Sequence, residues 1–172
     1  LGSSLGFLNN DLGGVLFGLL VVGALSFWWG RVSLCRSEEG ERPLWAWLKE
    51  NRNYVLGVEV LFVLAIGVWA FFRAYNPQLD STEKPMELAF LNGILQSPRF
   101  PPLDPWLSGF SISYYYFGYV MLSVLVRMTG MAPAVGFNVG QVLWLGMVVI
   151  GAYGVAYNLI ASVAARKSQA MA

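Results

Sequence analysis

The sequence contains no histidine, so it lacks the commonest general base and a frequent ligand for zinc, haem and chlorophyll. Its single cysteine, Cys35, excludes an intrachain disulfide, a CxxC redox pair and a thiolate metal cluster. Proton transfer would therefore fall to carboxylates, lysine or tyrosine. Loop carboxylates could hold a hard divalent cation such as Mg²⁺ or Mn²⁺, and the sequence indicates no other cofactor.

Charge is also scarce. Only 12% of the residues are charged and 56% are hydrophobic, against roughly 25% charged in an ordinary soluble domain. Such a chain cannot cover a globule with polar surface, so we expect membrane lipid to be a partner. The net charge of +1 and the lack of a basic run argue against nucleic acid as a partner. The sequence starts at Leu1, without Met and without the charged start typical of a signal peptide, and we interpret it as the N-terminal portion of a longer protein.

Long apolar runs predict an all-α, polytopic transmembrane protein with about four spanning helices in a single membrane domain, 1–172. A helix rises about 1.5 Å per residue, so about 20 apolar residues cross a bilayer. Asn10 and Asp11 are suitable caps before the first run. Gly14 and Gly18 either permit close helix contact or are ordinary membrane-helix glycines. The predicted spans are 12–29, 54–72, 112–128 and 137–164.

A polar, proline-rich loop, 73–111, separates the second and third spans. Loops of this length beside rigid elements usually carry function. Within it, 85–96 has helical periodicity and is expected to lie in the membrane interface. The segment 98–105 is expected to be extended because its prolines restrict the residues before them. A further short surface helix is predicted at 43–48, before the second span.

Lysine and arginine placement predicts the orientation. Arg31–Asn53 carries five cations in 23 residues, and Arg73–Ser113 carries three in 41. We therefore expect the protein to be integral to the cytoplasmic (inner) membrane, with the long loop, 73–111, on its external side. Arg127 is then expected on the cytoplasmic side. Arg166 and Lys167 favour the opposite arrangement, so the side of the C-terminal tail stays open.

Four charged residues at the start of the long loop are candidates for a functional site. Asp80, Glu83 and Glu87 lie within eight residues of one another, with Lys84 among them. A carboxylate in a partly dry site has a raised pKa and a neighbouring cation lowers it, which can produce a general base. The alternative is that these acids only favour a helix N-terminus.

A second group of loop residues is expected to contact substrate. Asp104 either meets a polar ligand or caps a helix that starts at Pro105. The three tyrosines either line a site or form an aromatic belt, and on a helix they would point about 100° apart. Arg99 can bind a phosphate. The members of the group are Arg99, Asp104, Trp106, Tyr114, Tyr115 and Tyr116.

Glu59 is the one carboxylate inside a predicted span, which makes it a functional candidate. It alone supports a transporter fragment as a possible function. The alternative is that Glu59 pairs with Arg52 or extends to the interface.

Several motifs resemble the YYY-domain membrane proteins of Chloroflexi and archaea, a bacterial and archaeal family. The likeness covers essentially the whole chain. It rests on Asn76–Pro77, Thr82–Asn92, Phe100–Gly109 and Tyr114–Tyr119, with Leu5–Leu8, Gly13–Gly14 and Gly136–Asn138.

The YYY-domain plan is similar to that of the GT-C glycosyltransferases, which are inverting enzymes with polyprenyl-phosphate-linked sugar donors. The resemblance implies a catalytic carboxylate in the first external loop, here Glu83 ahead of Asp80. It implies phosphate contacts from Lys84 or Arg99, and a sugar site shaped by Trp106 and the tyrosines, with Glu87 also contacting substrate. The chain departs from the GT-C pattern because Thr82-Glu83 stands where an Asp-Glu dyad is usual.

Two function classes therefore follow from the sequence. The first is a membrane glycosyltransferase-like protein with a lipid-linked sugar donor. The alternative is a non-catalytic accessory subunit of a larger membrane complex, whose loop docks other membrane subunits.

Overall fold

A computed structural model describes residues 8–36 and 44–170, and over these residues the chain is helical and has no strand. An isolated β-bridge joins Leu103 and Ser111. The all-α prediction is confirmed. The six helices are α1 (Leu12–Arg36), α2 (Leu44–Glu50), α3 (Arg52–Tyr75), α4 (Lys84–Gln96), α5 (Phe117–Thr129) and α6 (Pro133–Ala170).

Three helices in the described residues are long and apolar enough to cross a membrane: Leu12–Val32, Arg52–Tyr75 and Pro133–Ala164. They contain the predicted spans 12–29, 54–72 and 137–164. Many of their large apolar side chains are exposed, as expected of helices that lipid solvates. The prediction of a polytopic membrane protein is confirmed.

The structure differs from the prediction at the third span. In place of a helix over 112–128 it has α5, which has 13 residues and begins at Phe117. At 1.5 Å per residue α5 is about 20 Å long, too short for a hydrocarbon core of about 30 Å. Ile112, Leu122 and Val126 are buried within the protein. Hydropathy alone does not distinguish burial against protein from burial in lipid, which explains the difference.

The contacts divide the chain into two compact units, where the sequence predicted a single domain. Unit 1 comprises residues 1–41 and 78–137, and unit 2 comprises residues 42–77 and 138–172. Residues 1–7, 37–43 and 171–172 lie outside the described structure. The Leu5–Gly6–Phe7 part of the family motif and part of the basic segment 31–53 therefore fall outside it as well.

In unit 1, α4 and α5 pack side by side and run parallel. The ring of Phe90, midway along α4, lies 6.2 Å from that of Tyr119, near the start of α5. Near the helix ends, Arg127 Nη2 donates a hydrogen bond to the Leu95 carbonyl over 2.8 Å. The predicted helix at 85–96 is confirmed as α4, with Pro85 in its first turn.

The core of unit 1 consists of Phe90, Ile94 and Ile112. The helical periodicity of α4 places Phe90 and Ile94 on one face. That face packs against α5 and the 97–116 segment, whereas the sequence suggested contact with the membrane interface. The partly buried residues around this core are Met86, Phe100, Tyr116, Tyr119 and Val120.

In unit 2, α3 and α6 approach closely at Gly146. A Cβ placed there would lie 2.8 Å from Phe62 Cε2 and 2.9 Å from Ile66 Cγ1. The ring of Tyr54 also lies 4.7 Å from that of Tyr157. The short helix predicted at 43–48 is present as α2, although Pro43 itself lies outside the described residues.

Candidate functional site

Three of the four loop carboxylates, Asp80, Glu83 and Glu87, lie near the start of the loop and have different environments. Asp80 and Glu83 are exposed, whereas Glu87, in the first turn of α4, is half-buried. Glu83 is the N-cap residue of α4 but makes no side-chain capping hydrogen bond, and Lys84 beside it is half-buried. Of Asp80, Glu83 and Glu87, Glu87 is the one with the partly dry surroundings that a general base requires.

Glu87 is paired with a phenol on the neighbouring helix. The pKa of Tyr119 is raised, first by burial, then by the negative charge of Glu87 and by a hydrogen bond to Glu87. Tyr114 and Glu83 raise it further through their charges. The phenol therefore stays protonated beside the carboxylate. The starts of α4 and α5 together form a carboxylate–phenol cluster.

Aromatic rings surround this cluster through contacts with Phe90. The Tyr114 ring lies 5.5 Å from that of Phe90, and the Trp106 ring lies 5.6 Å away in an edge-on arrangement. Tyr119 completes the set at 6.2 Å. Trp106 remains 62% exposed, so one surface of its indole is available to a ligand. The fold thus brings together Glu87, Trp106 and Tyr114 from the predicted set.

The tyrosine triplet does not lie on a helix, so the prediction of three helical directions is wrong. Tyr114 and Tyr115 precede α5, and Tyr116 is its N-cap residue. Tyr116 packs against the core of unit 1, whereas Tyr115 is 89% exposed. The three side chains therefore have three different environments, and only Tyr114 lies beside the carboxylate–phenol cluster.

Asp104 performs the capping role that the sequence offered as one of two alternatives. Its Oδ1 accepts hydrogen bonds from the backbone N–H groups of Trp106 and Leu107, over 2.8 and 2.9 Å. The capped segment is a turn and not a helix. This turn fixes the position of the Trp106 backbone beneath the exposed indole.

An open groove of about 520 Å³ lies between α4 and the 103–105 segment. Amide and carboxylate side chains from Asn92, Gln96 and Asp104 contribute polar groups to it. Gly93 allows the close approach, because a Cβ there would lie 3.1 Å from the Leu103 carbonyl oxygen. The groove is lined by Ala89, Asn92, Gly93, Gln96, Ser97, Leu103, Asp104 and Pro105.

The loop arginines are placed differently from one another. Arg99 is exposed. Arg127 bonds to the Leu95 carbonyl, and its Nε is buried without a hydrogen-bond partner among the described residues. Burial lowers the pKa of Arg127, and the charge of Asp11 partly offsets this. The four-span prediction placed Arg127 on the inner side of the membrane, across a span from the long loop. Arg127 instead contacts the end of α4, which is part of that loop, so it does not support such a span.

The described residues contain no group of three or more acidic or cysteine side chains that could hold a metal ion. Glu87 faces a phenol and Asp104 caps a turn. Glu59 is exposed on α3 and makes no ion pair with Arg52 in this part of the chain.

The full sequence, residues 1–172, matches the model of a family described as uncharacterized membrane proteins, DUF2298. The chain belongs to the DUF2298 family. No curated protein and no solved structure matches it. The DUF2298 description names a membrane location and no activity, so the likeness to YYY-domain proteins and to GT-C glycosyltransferases remains a prediction.

Sequence reasoning missed several residues that organise this DUF2298 chain. Tyr119 entered only as the last residue of the Tyr114–Tyr119 motif, and its contact with Glu87 depends on the pairing of two helices. Arg73 is buried at the end of α3, and Asn138 accepts its hydrogen bonds. Asn138 belongs to the recognised Gly136–Asn138 motif, which was a signal that this position matters.

Proposed function

We propose that the chain is part of a membrane glycosyltransferase-like protein that uses a polyprenyl-phosphate-linked sugar donor. The observation that supports this best is the half-buried Glu87 carboxylate beside Tyr119, next to the aromatic side chains of Phe90 and Trp106. A partly dry carboxylate next to an exposed indole is suited to a sugar hydroxyl. Glu87 replaces Glu83 and Asp80 as the preferred base because both of those are exposed.

In the proposed reaction, Glu87 removes the proton of an acceptor hydroxyl. The acceptor oxygen then attacks the anomeric carbon of the donor, and the bond from that carbon to the phosphate oxygen breaks. The polyprenyl phosphate leaves with the electron pair, so the configuration at the anomeric carbon inverts. Tyr119 donates to one Glu87 oxygen and so holds the carboxylate in place.

Other residues of unit 1 have supporting roles in this proposal. Lys84, half-buried beside Glu83, would attract the phosphate, and Arg99 would do so from solvent. Trp106 and Tyr114 would contact the faces of the sugar ring. The groove beside Asp104 offers amide and carboxylate groups for sugar hydroxyls.

We also propose an orientation based on three spans. With α5 omitted from the count, Arg31–Asn53 and the tail cations Arg166 and Lys167 lie on one side of the membrane. Residues 76–132 lie on the other. Both cation-rich segments then agree with a cytoplasmic location, so the conflict in the four-span interpretation disappears. The carboxylate–phenol cluster faces outside.

The test is transfer from a panel of polyprenyl-phosphate hexoses in proteoliposomes, measured as release of polyprenyl phosphate. Glu87→Gln should lower the rate by about 10²- to 10⁴-fold, the usual contribution of a general base. Glu83→Gln is the matched control, one helical turn away, and should retain most activity. Equal rates for wild type and Glu87→Gln, with equal membrane insertion, would refute the assignment.

The alternative is an accessory subunit that docks other membrane subunits through its loop. The exposure of Tyr115 and Trp106, 89% and 62%, favours this alternative, because large exposed aromatic residues are common at protein interfaces. Purification in mild detergent distinguishes the two functions. A stoichiometric partner lost on Tyr115→Ala or Trp106→Ala, without transfer activity, supports the subunit.

A further inference from the structure

Arg73 is the one charged side chain in the described residues that is buried, with 9% of its surface exposed. It lies in the last turn of α3. Its Nε donates a hydrogen bond to Asn138 Oδ1 over 2.8 Å, and its Nη2 donates to the same oxygen. The Asn138 amide in turn donates to the Pro77 carbonyl over 3.2 Å, which orients the Asn138 oxygen toward Arg73.

The positive charge of Arg73 is not neutralised by these contacts. Asn138 is a neutral amide, and no described carboxylate forms an ion pair with Arg73. A guanidinium has five N–H donors, and Asn138 uses two of them. The end of α3 supplies about half a negative charge. A buried, unneutralised cation costs several kcal/mol, so an anion at this position would be favourable.

The surroundings of Arg73 indicate which anion is available there. Trp69, Phe71, Phe72 and Tyr75 lie within one turn of Arg73 on α3, and all four are exposed. Their rings contact one another at centroid distances of 4.8 to 6.3 Å. Exposed aromatic residues at the end of a spanning helix mark the level of the lipid headgroups. The abundant anion at that level is phosphate.

We propose that Arg73, held in place by Asn138, binds the phosphate group of a membrane lipid. The planar guanidinium fork matches two phosphate oxygens, which lysine cannot reproduce. The site lies within unit 2, whereas the carboxylate–phenol cluster lies within unit 1. The inference needs binding only, so it stands or falls separately from glycosyl transfer.

The experiment uses the full chain purified in a neutral detergent, with thermal unfolding followed as ligand is added. Three probes are compared: dioleoyl phosphatidic acid, dioleoylglycerol with the same acyl chains but no phosphate, and inorganic phosphate. Phosphatidic acid should raise the unfolding temperature of the wild type, and dioleoylglycerol should not. Arg73→Gln should weaken the apparent affinity for phosphatidic acid at least tenfold, and Arg73→Lys should weaken it severalfold.

Arg52→Gln is the matched control, because Arg52 is an exposed arginine at the opposite end of the same helix. It should retain wild-type affinity. A third outcome is that inorganic phosphate is the one probe that raises the unfolding temperature, with the effect lost in Arg73→Lys. That result would support a phosphate site at Arg73 but would assign it to the free ion and not to a lipid. Equal effects of phosphatidic acid and dioleoylglycerol on the wild type would overturn the proposal, even if Arg73→Gln failed to fold. So would equal losses in the Arg52 and Arg73 variants.

Discussion

Asn10 and Ile94 are 84 positions apart in the chain, and the Asn10 side-chain amide donates a hydrogen bond to the Ile94 carbonyl over 2.7 Å. The same nitrogen lies 2.9 Å from the Ser97 carbonyl oxygen, and the Asn10 backbone N–H donates to Pro98. These carbonyls belong to the C-terminal end of α4, where no helical partner is available. Asn10 therefore attaches the start of α1 to the end of α4.

Replacement of Asn10 by alanine should destabilise unit 1. The variant loses both side-chain hydrogen bonds and leaves two helix-end carbonyls without that donor, which should cost about 1–3 kcal/mol. Thermal unfolding in detergent measures the change. Asn9→Ala is the adjacent control, since the exposed Asn9 side chain makes no such bond. Equal stability of the two variants would contradict this role for Asn10.

The sequence was a good guide to the helices and a poor guide to their partners. Apolar length and capping signals located α1, α3 and α4, because these features act locally along the chain. The sequence named Asn10 and Asp11 as candidate caps, and Asp11 has that role: its Oδ1 accepts the Gly14 N–H over 2.8 Å. The bond from Asn10 to Ile94 depends on tertiary packing, which no local pattern encodes.

The candidate site shows the same division. Sequence reasoning selected Glu87, Trp106 and Tyr114 by residue type and location, and the structure brings them around Phe90. By resemblance it made Glu83, ahead of Asp80, the base and Glu87 a substrate contact, yet Glu83 is exposed. Burial separates these two carboxylates, and burial depends on how α4 packs against α5.

Gly14 and Gly18, four positions apart, should respond differently to substitution. A Cβ on Gly14 would lie 2.2 Å from the Asn9 backbone carbonyl oxygen, whereas a Cβ on Gly18 has nothing within 4 Å. Gly14→Ala should therefore distort the start of α1 and cost about 1–3 kcal/mol. Gly18→Ala should leave the unfolding temperature unchanged or slightly higher, because alanine favours helix. A larger loss at Gly18 would indicate a helix contact beyond this chain.

Tyr119 should ionise at higher pH than the other tyrosines. Its pKa is raised above the ordinary value of 10.0 by burial and by Glu87. The folded state therefore holds the phenolic proton more tightly than the unfolded state. This contribution to stability is fully present below about pH 10 and is lost as the pH rises above it.

Alkaline titration of phenolate absorbance measures this effect. Tyr119→Phe should remove the last of the tyrosine transitions, and Glu87→Gln should shift that transition to lower pH. Tyr115→Phe is the control: Tyr115 is 89% exposed, and the variant should leave the last transition in place. Loss of the same transition in the Tyr115 and Tyr119 variants would contradict the pairing of Tyr119 with Glu87.

The number of spans determines the side on which the C-terminal tail lies. With three spans, Lys49 before α3 and Lys167 near the end of α6 are on the same side. Four spans, with 112–128 crossing the membrane, would place Lys167 on the side of Ser81. The three-span arrangement is expected, because α5 has 13 residues and packs along α4.

Single-cysteine labelling in inside-out and right-side-out vesicles checks this, in a background where Cys35 is replaced by serine. An impermeant maleimide should label Lys49→Cys and Lys167→Cys in inside-out vesicles, and Ser81→Cys in right-side-out vesicles. All three residues are exposed and lie outside the candidate spans. Lys167 is on the part of α6 that continues beyond the span's end at Ala164. Labelling of both Lys167→Cys and Ser81→Cys in right-side-out vesicles would contradict the three-span arrangement and support four spans. It would also require α5 to cross the membrane despite a length of about 20 Å.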